Sequence, residues 1–172
     1  MGANLCSQEN CSGEAQQMQS EFTIQNLSPP NDGTTVSILS TRSNIILGYK
    51  EGHLHIINSE TKEIRGDFDH FMPGAITHIC NLRSMIYTAD SQGNVKSVKL
   101  SECNKPFQNY GPILKGPASA MTVYRDHVLV GDESGYLTII DGKNHEVLLQ
   151  IAKPMQSKIT NITCYDEYCA VY

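Results

Sequence analysis

One short pattern recurs three times and constrains the fold more than any other feature of these 172 residues. Residues 42–58 read RSNIILGYKEGHLHIIN, residues 83–99 read RSMIYTADSQGNVKSVK and residues 125–141 read RDHVLVGDESGYLTIID. The copies align without a gap, and Gly52, Gly93 and Gly135 recur at intervals of 41 and 42 residues. A fourth copy begins at residues 161–172, which align with residues 120–131. A repeat of this length indicates a solenoid or a propeller.

Each copy consists of short runs of Ile, Val, Leu and Tyr separated by Gly, Asp, Asn and Ser, without a helical stripe, which predicts an all-β chain. Four strands per repeat are typical of the blade of a β-propeller. The predicted strands are Thr35–Ser40, Ile45–Lys50, His53–Asn58, Glu63–Phe68, Ile76–Asn81, Met85–Asp90, Asn94–Leu100, Pro106–Tyr110, Ser119–Tyr124, His127–Asp132, Tyr136–Asp141 and Glu146–Ile151. They form three antiparallel blades at residues 34–68, 75–110 and 118–151, followed by part of a fourth at 159–172.

The N-terminal part divides into two segments. Residues 1–20 are polar and rich in Gln and Ser, so we predict a disordered tail. Residues 21–29, EFTIQNLSP, resemble residues 146–154, EVLLQIAKP, three repeats later. This similarity predicts an N-terminal closing strand and a propeller domain at 21–172. Because propellers have about four to eight blades, we expect an incomplete propeller, with further blades in a longer protein or closure by self-association.

The third copy carries a family resemblance. Its segment VGDESGYLTIID, with Gly135 at the turn and Ile140-Asp141 in place of Trp-Asp, resembles the second half of a WD repeat. The chain contains no Trp, so the usual His, Ser, Asp and Trp network of WD blades cannot form. Apolar Ile57, Val98 and Ile140 are expected to replace that network by packing. Because the chain departs from the WD pattern in these ways, it is equally similar to another propeller family with WD-like blades, such as the quinoprotein-like group.

The resemblance implies a non-catalytic scaffold that binds other proteins. Partners of WD propellers contact the rim and the face formed by the turns between second and third strands and by the segments between blades. Here that face comprises Lys50, Glu51, Asp69, His70, Phe71, Met72, Ser91, Gln92, Glu133, Ser134 and residues 154–157. Phe71 and Met72 allow two interpretations, because such side chains are favoured in interface cores and are equally suited to burial between blades.

A propeller enzyme, a small-ligand binder that uses the central channel, and a fragment without independent activity are the competing interpretations. His53 and His55 share one strand face, as a β-sheet metal site would require, but no partner carboxylate pattern accompanies them and we assign both to a blade surface. The sequence contains no catalytic motif, so we predict no enzyme activity and no cofactor. Arg42, Arg83 and Arg125 recur in the turn between first and second strands, either as solvated side chains or as a basic ring that binds an acidic peptide.

Composition restricts partners and location. The formal charge of −5 is spread along the chain, which disfavours nucleic acid as a partner because no basic face is clustered. Without a signal peptide or membrane span we expect a cytoplasmic protein whose six cysteines are free thiols. Gly2 after the initiator Met is placed for N-myristoylation, although Cys6 stands where Ser or Thr is preferred. Palmitoylation of Cys6 or Cys11 would add a second anchor at the cytoplasmic face of a membrane.

Overall fold

The computed structural model describes residues 33–69, 71–103, 107–152, 154 and 156–172. The predicted tail, the closing strand at 21–29, the three lipidation candidates and His70 lie outside the described residues. The described residues are organised in strands and turns, and no helix among them is long and apolar enough to span a membrane.

Fourteen strands follow one another along the described chain. They are β1 (Thr35–Ser40), β2 (Asn44–Tyr49), β3 (Leu54–Asn58), β4 (Ile64–Phe68), β5 (Ile76–Leu82), β6 (Met85–Asp90), β7 (Asn94–Lys99), β8 (Gln108–Pro112), β9 (Ala118–Tyr124), β10 (His127–Asp132), β11 (Leu137–Asp141), β12 (Val147–Ile151), β13 (Ile162–Tyr165) and β14 (Tyr168–Val171). The twelve predicted strands are confirmed with boundaries that differ by no more than two residues.

The strands form three four-stranded antiparallel sheets and one two-stranded sheet. β1–β4, β5–β8 and β9–β12 each pair in chain order, as in a meander, and they are blades 1, 2 and 3. β13 and β14 form the fourth sheet. The described sheets do not close into a ring, so the fold is an incomplete β-propeller.

The apolar core lies between successive blades. Ile46 and Ile56 of blade 1 pack with Ile86 and Val98 of blade 2. Blades 2 and 3 share the next cluster, and blade 3 and the fourth sheet share a third. Because burial of apolar area is the main driving force of folding, each blade depends on its neighbour for stability. Ile57, Val98 and Ile140 are all buried, as expected for side chains that pack between blades.

Hydroxyl groups on the innermost strands join each blade to the next. Ser37 Oγ of blade 1 donates to the carbonyl of Ile76 at 2.5 Å, and Ser119 Oγ of blade 3 donates to the carbonyl of Ile159 at 2.6 Å. Thr77 Oγ1 lies 3.5 Å from the carbonyl of Ala118 between blades 2 and 3. The hydroxyl group therefore recurs once per repeat, but Thr77 Oγ1 lies closer to the carbonyl of Ala89 in its own blade, at 3.3 Å.

A candidate protein-binding face

The turns between second and third strands, together with the segments that link the blades, form one surface, which we call the turn face. Each such turn ends in a glycine with positive φ, 83° at Gly52, 84° at Gly93 and 83° at Gly135. An L side chain is strained in this conformation, so the repeated glycines are explained by turn geometry. Their backbones also hold the linkers: Met72 N donates to Gly52 O at 2.9 Å and Leu114 N to Gly93 O at 3.1 Å.

Two buried carboxylates organise the turn face. Asp132 accepts hydrogen bonds from Ser134 N and Tyr136 N in its own turn, both at 2.9 Å, and from Lys115 N in the preceding linker at 2.8 Å. Asp90, one repeat earlier, accepts from Gln92 N at 2.9 Å and from Gly74 N at 3.1 Å. Both residues are fully buried. Since charge-assisted bonds to backbone N–H groups are strong, each carboxylate fixes its turn to the linker that precedes it.

On this framework the turn residues Lys50, Glu51, Gln92, Glu133 and Ser134 are exposed. Ser91 is half-buried because its hydroxyl accepts a bond from Ala75 N at 3.1 Å. Asp69 is exposed and contacts His53 Nδ1 at 2.7 Å. In the more C-terminal linker, Pro154 and residues 156–157 are also exposed.

Phe71 and Met72 do not belong to the exposed surface. Each is only 1% exposed, which corresponds to the alternative of burial between blades. Phe71 packs edge-on against Phe68 and Phe107, with centroids 5.5 Å and 4.8 Å away. Lys96 Nζ donates to the carbonyl of Phe71 at 2.5 Å and lies 4.4 Å from the Phe107 ring centroid. Burial lowers the pKa of Lys96. These contacts hold the linker between blades 1 and 2 in place. Phe71 and Met72 therefore position the turn face, but their side chains are not available to a partner.

Two of the three recurrent arginines, Arg83 and Arg125, connect neighbouring blades through the turns between first and second strands. Arg83 of blade 2 forms an ion pair with Asp126 in the corresponding turn of blade 3. Arg125 of blade 3 donates to the carbonyl of Asp166 at 3.3 Å in the fourth sheet. Hydrogen bonds from Lys143 and Arg83 lower the pKa of Asp126. Arg83 and Arg125 are thus engaged by the next blade, although their side chains remain more than half exposed.

The assignment of both histidines to a blade surface is wrong for His55. Its ring is fully buried, with Nε2 2.9 Å from Asp67 Oδ1 and Nδ1 3.1 Å from the Tyr49 hydroxyl. The side chain of His53 is 22% exposed. His53 contacts Asp69 and His55 contacts Asp67, so the two histidines have separate acidic partners. No cluster of three metal-ligating side chains occurs among the described residues.

The expectation of free thiols is wrong for one cysteine pair. Cys164 and Cys169 lie directly opposite each other on β13 and β14 and form a disulfide. The register explains the bond, because directly paired residues of an antiparallel hairpin bring their Cβ atoms close together. Cys80 and Cys103 are free thiols, and burial raises the pKa of both.

No family model and no curated protein matches the sequence. Among solved structures, the chain is similar to the computationally designed Ika4 protein, with a TM-score of 0.73 at 15% identity over 87% of this chain and 92% of that one. It is also similar to the WD40 repeats of RRP9, with a TM-score of 0.69 at 10% identity over 83% of this chain. The Neurospora crassa Pan2 WD40 domain gives 0.64 at 14% identity over 84%.

The chain spans 46% of the RRP9 chain and 46% of the Pan2 chain. At these identities the similarity shows the fold alone. The fold is that of an incomplete β-propeller with four-stranded antiparallel blades, as the repeat predicts.

Proposed function

We propose that the chain is a non-catalytic platform that binds other proteins through the turn face. The main support is that the turn face combines exposed polar side chains, such as Glu51 and Glu133, with a backbone that the buried carboxylates of Asp90 and Asp132 fix. Binding residues are concentrated on loops that a rigid scaffold positions. Such loops lose little conformational entropy when a partner binds, which favours affinity. One structure similar to this chain is that of the Mitotic Checkpoint Complex, which supports the same type of role.

The test reverses charge on the turn face and compares it with an identical change elsewhere. The variant Glu51→Lys/Glu133→Lys alters two exposed side chains of the turn face, and Glu60→Lys/Glu146→Lys alters two exposed side chains near the turns between third and fourth strands. Both are affinity-purified from cell extract and compared with the wild type by quantitative mass spectrometry. We expect the first variant to lose specific partners that the second retains. Equal partner sets for both variants would contradict the proposal.

We further propose that the N-terminus attaches this platform to the cytoplasmic face of a membrane. The support is sequence alone: Gly2 follows the initiator Met, and Cys6 and Cys11 could carry a second acyl chain. One myristoyl chain gives only marginal membrane affinity, so the second anchor matters. Intact-mass measurement of the native protein tests this directly, with Gly2→Ala as the control. An unmodified or merely acetylated N-terminus would reject the tether without affecting the platform.

A further inference from the structure

Ion pairs between the turns of the first and second strands join two of the three described blade interfaces. Arg83 of blade 2 pairs with Asp126 of blade 3, and Arg125 of blade 3 lies 3.9 Å from Glu167 of the fourth sheet. Each arginine stands two residues before the second strand of its own blade, and each acidic residue stands directly before the second strand of the next. The pair is therefore a positional feature of the repeat.

The interface between blades 1 and 2 has the arginine of this pair but not the acid. Arg42 stands two residues before β2, and the residue directly before β6 is Ser84. Both residues are exposed. No ion pair of Arg42 occurs within the described part of the chain. A hydroxyl group that can be phosphorylated thus occupies the position at which the other two interfaces carry a carboxylate.

The backbone holds Ser84 in the same way as Asp126. Leu100 N, directly after the third strand of blade 2, donates to Ser84 O at 2.9 Å. Gly142 N donates to Asp126 O at 2.8 Å, which is the same bond one repeat later. The residue before each acceptor has a positive φ, 58° in blade 2 and 52° in blade 3. Ser84 therefore occupies the backbone position from which Asp126 reaches the arginine of the preceding blade.

The innermost strands place blade 1 against blade 2 as they place blade 3 against the fourth sheet. Ser37 Oγ donates to Ile76 O at the first interface. At the third interface, Ser119 Oγ donates to Ile159 O. The turn of blade 1 is one residue longer than that of blade 2, because Thr41–Ser43 separate β1 from β2. A phosphoserine extends further from the backbone than an aspartate and offers three acceptor oxygens, which lengthens its reach toward the arginine of that turn.

We propose that Ser84 is a phosphorylation site and that its phosphate binds Arg42, which gives the first blade interface the ion pair that the other two already have. In the modifying step a protein kinase transfers the γ-phosphoryl group of a nucleoside triphosphate to Ser84 Oγ. The Oγ–P bond forms and the bond from this phosphorus to the bridging oxygen breaks. The nucleoside diphosphate leaves with the electron pair, and the hydroxyl proton passes to a base of the kinase.

The modified side chain would bind the preceding blade by charge. A phosphoserine carries a charge of about −1.5 to −2 at pH 7 and forms charge-assisted hydrogen bonds with an arginine opposite it. Phosphorylation of Ser84 thus tightens blade 1 against blade 2, whereas the two later interfaces have their ion pairs without any modification.

The pairing is tested on the full chain with phosphoserine incorporated genetically at residue 84. Phosphorus NMR at a series of pH values gives the second pKa of this phosphate, which is about 6 without a partner. An opposite charge nearby stabilises the dianion and lowers that pKa. We expect Arg42→Gln to raise the measured pKa by at least about 0.5, since a neighbouring unit charge has about this effect even in water.

Lys50→Gln is the matched control for the NMR titration. Lys50 is an exposed cation that also belongs to blade 1 but lies on the turn face, so its replacement should leave the pKa of the phosphate unchanged. An unchanged pKa in Arg42→Gln, or an equal rise in both variants, would overturn the proposal.

Urea unfolding supplies a second readout that needs no phosphate. Ser84→Asp places a carboxylate in the position that Asp126 has in blade 3. We expect this change to raise the urea midpoint of the wild type but not that of Arg42→Gln. Because exposed ion pairs stabilise weakly, the chain with phosphoserine at residue 84 should show the same dependence on Arg42 with a larger rise. An equal rise with and without Arg42 would mean that the turn alone is stabilised, and the pairing would be rejected.

Mass spectrometry of the native protein tests whether the site is used. The protein is isolated from cells treated with phosphatase inhibitors, and tandem spectra of the peptide that contains residues 84–96 locate the phosphate. We expect phosphate on Ser84 and its loss in Ser84→Ala, and an unmodified Ser84 would overturn the proposal. Arg42 and Ser84 lie in turns between first and second strands, apart from the turn face. The result is therefore independent of whether the turn face binds a partner.

Discussion

Replacement of Asp132 by Ala tests the account of the turn face. The carboxylate accepts three backbone N–H groups at 2.8 to 2.9 Å from a fully buried position. Hydrogen bonds to a charged group contribute about 1.5–3 kcal/mol each, but Lys115 and Ser134 are exposed enough for water to compensate in part. We therefore expect a loss of about 3–4 kcal/mol of unfolding free energy. That is a large fraction of the roughly 5–15 kcal/mol typical of a domain.

Asp132→Asn refines the test. Its amide oxygen can still accept from Ser134 N and Tyr136 N, but the NH₂ group then faces the Lys115 N–H, so one bond is lost and two donors oppose each other. We expect a loss of about 2 kcal/mol, because an unpaired buried donor costs about 1–3 kcal/mol. The unfolding free energy should therefore increase from Asp132→Ala to Asp132→Asn to the wild type, in the order of the number of hydrogen bonds that remain.

Urea unfolding followed by far-UV circular dichroism measures these differences, since the chain has no Trp to report fluorescence. Glu133→Ala is the control, because the neighbouring Glu133 is exposed and forms only a surface ion pair with Lys158 at 2.6 Å. Such pairs contribute about 0–1 kcal/mol. If Asp132→Ala unfolds at the same urea concentration as Glu133→Ala, the carboxylate does not hold the turn and linker together, and the reasoning is refuted.

Three further predictions concern stability. His55→Gln should cost about 1–3 kcal/mol through loss of the buried contacts to Tyr49 and Asp67, while His53→Gln should cost less; equal urea midpoints would contradict this. Burial lowers the pKa of His78 below 6.5, so its neutral form is favoured in the folded state. The contribution of His78 to the unfolding free energy is complete above the pKa that His78 has in the unfolded chain. It declines as the pH falls from 6.5 through the pKa of the folded state. His78→Gln should lessen this decline, as measured by thermal unfolding at a series of pH values. Cys164→Ser should lower stability by up to about 2 kcal/mol, because the disulfide closes a short loop with a sequence separation of 5, and a reducing agent should have no effect on this variant.

The blade pattern could be predicted from the sequence because it depends on local signals that recur. Turn glycines at fixed offsets and alternating aliphatic runs mark each strand, and the repetition removes the ambiguity that a single run would have. The strand predicted at Pro106–Tyr110 is observed two residues later, at Gln108–Pro112, in a segment with few aliphatic residues. The recurrence of Arg83 and Arg125 was visible as well, but their partners in the next blade were not.

The residues missed by sequence reasoning depend on distant partners. His55 reads as an alternating strand residue, and only the fold brings Asp67, twelve residues away, to its ring. Asp90 and Asp132 stand at the start of turns that were attributed to their glycines alone, although the recurrence of Asp in DSQG and DESG was an available signal. The Cys164–Cys169 bond was rejected on the ground of compartment, whereas the hairpin register decides it.

The hydroxyl bonds between innermost strands give the array a direction. Ser37 and Ser119 donate to a carbonyl of the following blade, and Thr77 Oγ1 lies 3.5 Å from the carbonyl of Ala118 in the following blade and 3.3 Å from that of Ala89 in its own. The folding free energy is then approximately a sum over the blades and over the interfaces between neighbouring blades, and each interface has a donor side and an acceptor side. Exchange of two adjacent blades as a unit would preserve the bond within the pair and change only those at its ends. A chimera built from whole repeats in a new order should therefore be most stable when two conditions hold. Its breakpoints should fall in the linkers, and each blade with a donor hydroxyl should be followed by a blade that supplies an acceptor carbonyl.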